Sequence, residues 1–69
     1  MKLSARNVLK GTVVKVTQGA VNSEVVLEVA PGIQVVSIIT RQSAESLEIA
    51  EGKTAYAIIK ASNVMIAVD

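Results

Sequence analysis

The sequence predicts an all-β fold, a small five-stranded Greek-key barrel of the OB type with one short helix, assembled as a homo-oligomer. Three observations predict it. Strand-like runs rich in Val and Ile are separated by "QG" (18–19), "PG" (31–32) and "EG" (51–52), where glycine supplies positive φ and proline presets a turn. One polar stretch, "TRQSAESLEIAEG", breaks the two-residue period after the third run, giving the order three strands, helix, two strands. Several runs are apolar on both faces, and a chain of 69 residues has no second layer to cover the outer face.

Each element follows from the pattern in turn. The first strand, roughly Asn7 to Thr17, carries Gly11 in its interior, which marks a bulge or a close approach of another backbone. The second, Ala20 to Val29, alternates: Val21, Ser23, Val25, Leu27 and Val29 share one face, while Asn22, Glu24 and Glu28 lie on the other. The third, Ile33 to Thr40, is apolar on both faces, with Ile33, Val35 and Ile39 on one and Val36 and Ile38 on the other. Thr40 or Ser43 then caps a short helix, because each places an oxygen three residues from a free amide. Two more strands, Lys53 to Ala61 and Val64 to Val68, are again apolar on both faces. One face fills the barrel, and the other is an exposed apolar patch unless a second subunit covers it. The expectation is a single domain over residues 1–69 that exists as an obligate oligomer.

Composition sharpens that expectation and excludes several functions. A domain this short needs a staple: disulfides, a metal or partner subunits. The chain has no cysteine and no histidine, which removes disulfides, thiolate sites and the commonest transition-metal ligand, and leaves oligomerisation. The acidic residues are dispersed, so a bare cation finds no cluster of ligands. Glu45, Glu48 and Glu51 stand at helical spacing as a solvated face, and a Ser–Lys pair drawn from Ser4 or Ser43 with Lys60 has no nucleophile elbow or oxyanion loop beside it. No enzyme is expected. A single-strand binder would need a basic groove with aromatic platforms, but net charge is +1 and Tyr56 is the one aromatic, so no nucleic acid is expected either. No window reaches ~20 apolar residues, so no membrane span is expected. "MKLSARNVLKG" turns polar after three residues without an apolar h-region or cleavage site, which points to the cytoplasm.

Anions remain, and two tetrapeptides give them substance. "SARN" (4–7) and "KASN" (60–63) gather the donors Ser4, Arg6, Asn7, Lys60, Ser62 and Asn63, and neither contains a carboxylate. Thr40 and Ser43 add hydroxyls at the helix entrance, and "GAVNS" (19–23) adds a turn glycine, an amide and a hydroxyl. A site made of donors alone suits a fully deprotonated tetrahedral oxyanion. It discriminates against hydrogen phosphate, whose proton finds no acceptor. Ser, Thr and Asn at strand ends also serve as turn and cap residues, and Lys or Arg there often stand in water. Composition and spacing leave both readings open, including a ligand-free structural or protein-interaction module on the same barrel.

The run "LSARNVLKGTVVKVTQGAVNSEVVLEV", then "ITRQS", then "AYAIIKASNVMIA", resembles the molbindins, the Mop-type molybdate-binding proteins, whose module recurs in the TOBE domains of molybdate transporters and regulators. The resemblance covers nearly the whole chain. It implies OB-like subunits in a hexamer, a trimer of dimers, that binds molybdate or tungstate between subunits for storage or homeostasis. One kind of site would draw on Ser4, Arg6, Thr40, Ser43, Lys60 and Ala61. Ser4, Thr40 and Ser43 would donate through hydroxyl or amide, Ala61 through its amide, and Lys60 would supply charge, with Arg6 supporting the edge. Some relatives carry a hydroxyl residue directly after the lysine; here Ala61 stands there and Ser62 follows, so that ligand is lost or moved by one residue. A second kind of site near a symmetry axis would use Gly19, Ala20, Val21, Asn22 and Ser23, with Asn22 and Ser23 foremost. Ser23, on a face with Val21 and Val25, is equally placed for an interface hydrogen bond.

Overall fold

The computed structural model describes residues 1–69 and contains four strands, not five. β1 is Asn7–Gln18, β2 Asn22–Ala30, β3 Ile33–Thr40 and β4 Thr54–Ile59; the helix α1 is Arg41–Ser46, and a one-turn 3₁₀ helix, η1, is Ala61–Asn63. They form one antiparallel sheet in the order β3-β2-β1-β4. β1 serves two partners in succession: its first half, Asn7 to Thr12, pairs with Ile59 to Thr54, and from Thr12 to Gln18 it pairs with Glu28 to Ser23.

That change of partner needs a bend, and the sequence supplies it at two places. The register slips between Val13 and Lys15, a bulge that turns Val13 fully inward while Val14 looks out. Gly11 is the close approach anticipated from its position. A Cβ there would stand 2.7 Å from the Glu28 carbonyl oxygen, nearer than side chains tolerate. The resulting sheet curls around Val13, Val25 and Leu27, with Val16, Val29, Ile39, Ile49, Ala55 and Ala57 packed against them.

α1 begins where Thr40 leaves the β region (φ −65°, ψ 149°) and its Oγ1 accepts the Ser43 N–H at 3.0 Å, so Thr40 is the cap. Buried Ala44 seats the helix. The helix ends on paired bonds, Ile49 N–H to the Ala44 carbonyl and Glu48 N–H to the Glu45 carbonyl, each 3.0 Å. Glu48 occupies the left-handed position of that cap at φ +54°, where glycine is the usual residue. Gly32 and Gly52 have the positive φ expected of their turns. Gly19 does not: a Cβ there would meet the Asn22 carbonyl oxygen at 2.5 Å, so close packing selects that glycine.

The missing fifth strand changes the architecture. Val64–Val68 is extended at its start (Val64 φ −90°, ψ 122°) but pairs with nothing in its own chain. β4 also stops at Ile59, because Asn63 N–H bonds back to the Lys60 carbonyl and winds Ala61–Asn63 into η1. Without a strand between β3 and β4 the barrel is a half-barrel, open along a groove of about 410 Å³. Both flanking strands keep one free edge. Only six of 69 residues are buried, so a lone subunit leaves most of its apolar surface in water. No helix is long and apolar enough to cross a membrane.

Candidate functional site

The donors singled out in the sequence fall into two clusters. In the first, β1 and β4 are antiparallel and in register, so Asn7 stands opposite Ile59. Asn7 Nδ2 donates to the Ile59 carbonyl at 3.2 Å, tying "SARN" to the end of β4. Ser4, Arg6, Lys60, Ala61 and Ser62 all lie exposed around that junction. Its charged side chains are cationic, and neither Arg6 nor Lys60 forms a salt bridge. The amide side chain of Asn7 thus acts as a strut as well as a donor, a role that an asparagine at a strand start does not announce.

The second cluster lies where β1 ends and β2 begins. Gln18 stands opposite Ser23, and Asn22 opposite Thr40, so "GAVNS" and the helix entrance are neighbours. Two further bonds lock the corner: Gly19 N–H to the Asn22 carbonyl and Arg41 N–H to the Val21 carbonyl, both 2.8 Å. Ala20, Val21 and Asn22 are exposed there. Thr40 Oγ1 donates its one proton to Ser43 Oγ at 2.7 Å. The Ser43 hydroxyl proton is therefore the one left to point outward, with Thr40 orienting and polarising it. Arg41 Nε holds Glu45 Oε1 at 3.1 Å, and the two share a helix face roughly 160° around from Ser43, so that carboxylate faces away from the hydroxyls.

Ser23 is the unusual member. It is 1% exposed, it shares a face of β2 with the core residues Val25 and Leu27, and its Oγ has no hydrogen-bond partner. A buried hydroxyl without a partner costs ~1–3 kcal/mol. The alternation of β2 foretells the inward direction; the orphaned oxygen is visible only in three dimensions.

The two clusters are not brought together within one chain. Their anchor points, Asn7 and Gln18, are eleven residues apart along β1 (18 − 7), and no hydrogen bond or salt bridge links them. The first belongs to the β4 side of the sheet and the second to the β2–β3 side. The groove between has walls formed by Val25, Leu27, Val35, Ile39, Ile49 and Ala57 among others, and offers no charged group. Sequence reasoning did not foresee this groove, since a fifth strand was expected to fill it.

A half-barrel with donor clusters at two corners, poor in carboxylates and open along an apolar seam, has the make-up of a small-anion-binding module. The TOBE domain family matches residues 3–66, and the chain belongs to that family. Over 66 residues it is 53% identical to molybdenum-pterin-binding protein 3 of Clostridium pasteurianum, covering 96% of this chain and 97% of the relative. A molybdate-binding protein from Sporomusa ovata superposes with a TM-score of 0.92 at 31% identity, over 99% of this chain and 100% of that one. The cytoplasmic molybdate-binding protein ModG, solved with molybdate bound, superposes with a TM-score of 0.90 at 45% identity; 94% of this chain matches 46% of ModG.

Proposed function

We propose that residues 1–69 form one oxyanion-binding domain that holds molybdate or tungstate, unchanged, at the seams of a homo-oligomer for intracellular storage or homeostasis. The assembly is a hexamer built as a trimer of dimers, and its address is the cytoplasm, as described for ModG. The observation that carries the reading is the division of donors between two corners of the subunit that nothing in the chain joins. Each corner is half a site. Ser4, Lys60, Ala61 and Ser62, edged by Arg6, supply charge and donors from one subunit, and the Thr40–Ser43 pair supplies the Ser43 hydroxyl, oriented by Thr40, from the next. Gly19 to Ser23, with the spare Ser23 hydroxyl, serve a second, symmetry-axis site. The relatives' molybdenum and molybdate names support the choice of anion.

The same assembly accounts for the open groove. Its occupant is Val64–Val68 of a second copy, added as a strand between the free edges of β3 and β4. The segment is the length of a strand, and Met65, Ile66 and Val68 are 93%, 86% and 91% exposed in their own subunit. No residue of 60–69 lines that subunit's groove. A twofold exchange satisfies both copies at once.

The test is thermal melting with molybdate, tungstate, sulfate and phosphate. Stabilisation by the first two is expected, because a ligand that binds only the assembled native state shifts unfolding by mass action. No shift with any of them leaves the ligand-free interaction module. Calorimetry of Lys60→Ala checks the residue assignment. Loss of a charge-assisted contact worth ~1.5–3 kcal/mol raises Kd about ten- to a hundredfold. Unchanged affinity would remove Lys60 from the site.

A further inference from the structure

We infer that the segment that grips the anion is also the hinge of strand exchange, so that a bound anion locks the subunits together. This regulation of the site rests on the function proposed above. Lys60 is the last residue before η1, with φ −58° and ψ 131°. η1 is a single turn closed by Asn63 N–H to the Lys60 carbonyl at 2.9 Å and Val64 N–H to the Ala61 carbonyl at 3.3 Å. Val64 then returns to extended backbone and begins the tail.

Upstream, the chain is held firmly: Ile59 lies in register with Asn7 and accepts its side-chain amide. Downstream, the tail touches its own subunit little. The direction in which the tail leaves is therefore set by the torsions of residues 60 to 63. Those torsions are weakly restrained in the subunit, because all four residues are exposed and η1 has no side-chain cap. Lys60, Ala61 and Ser62 are the same residues whose ammonium, amide and hydroxyl are assigned to the anion. An anion held by them and by Thr40 and Ser43 of a neighbouring copy fixes the hinge. For a tail to leave its groove the hinge must turn, and the anion must leave first.

Linkage gives the size of the effect. A ligand that binds only the closed hinge lowers the open population by 1 + [L]/Kd, so anion at about 100 times its Kd slows exchange about a hundredfold. Nitrogen-15-labelled and unlabelled protein are mixed with and without molybdate, and mixed assemblies and bound anion are counted together by native mass spectrometry. Amide hydrogen exchange over residues 60–68 is followed on the same samples, so that a slowly mixing assembly is still decided. Bound molybdate with slowed mixing, or with added protection at 60–68, is the expected result. Bound molybdate with both rates unchanged overturns the hinge and leaves the binding function standing. No bound molybdate, with no bound tungstate in a parallel run, overturns both.

Discussion

Replacing Ile66 by alanine distinguishes a solvent-exposed tail from an exchanged strand. In the single subunit the side chain is 86% exposed. If water is its true environment, removing three carbons changes stability by no more than ~0.5 kcal/mol, as for ordinary surface substitutions. If it fills the groove of a second copy, the loss is that of a buried isoleucine, ~2–5 kcal/mol. A twofold exchange contains two such contacts, so the dimer loses ~4–10 kcal/mol, and even the lower figure raises its dissociation constant roughly a thousandfold. Sedimentation equilibrium without molybdate, over a range of protein concentrations and in the mild denaturant where the native protein begins to dissociate, measures the difference. Circular dichroism of the same samples reports whether the sheet survives. A variant that associates with the native dissociation constant would refute the reasoning, because it would show that water is where this side chain belongs.

Three further substitutions test individual parts of the fold and site. Gly11→Ala places a Cβ 2.7 Å from the Glu28 carbonyl oxygen and 3.1 Å from Val29 Cγ1; forcing β1 and β2 apart costs ~1–3 kcal/mol, seen as a lower denaturation midpoint with an unchanged slope. Glu48→Gly relieves the +54° φ at the helix end and stabilises by ~0.5–1 kcal/mol, because the exposed 3.8 Å Lys53–Glu48 pair it removes is worth little; a lowered melting temperature contradicts this. Ser23→Ala deletes the buried hydroxyl that has no partner, so the anion-free protein is equally or more stable by up to ~1 kcal/mol. The same variant binds fewer anions per assembly, by titration calorimetry, if that hydroxyl serves the axis site.

The strands, their order and the helix were legible because each has a short-range cause. Val- and Ile-rich runs between turn residues mark β1 to β4, Thr40 caps α1 through an oxygen three residues away, and the glycines stand where a turn or a close backbone demands them. The donor clusters were legible for the same reason, since residue type and position in the chain are enough to name Ser4, Lys60 or Ser43. Val64–Val68 reads as a strand but forms none within its own chain, because strand propensity is a statement about a residue's side chain, whereas a strand exists only when another backbone meets its hydrogen bonds. Tertiary structure alone decided that no such backbone is available in the chain and that a groove stands open in its place. It also decided the placement of the donors. Register put Asn7 beside Ile59 and Asn22 beside Thr40, holding the two donor clusters apart, because pairing across a sheet depends on how a chain curls back and not on how far apart its residues are counted.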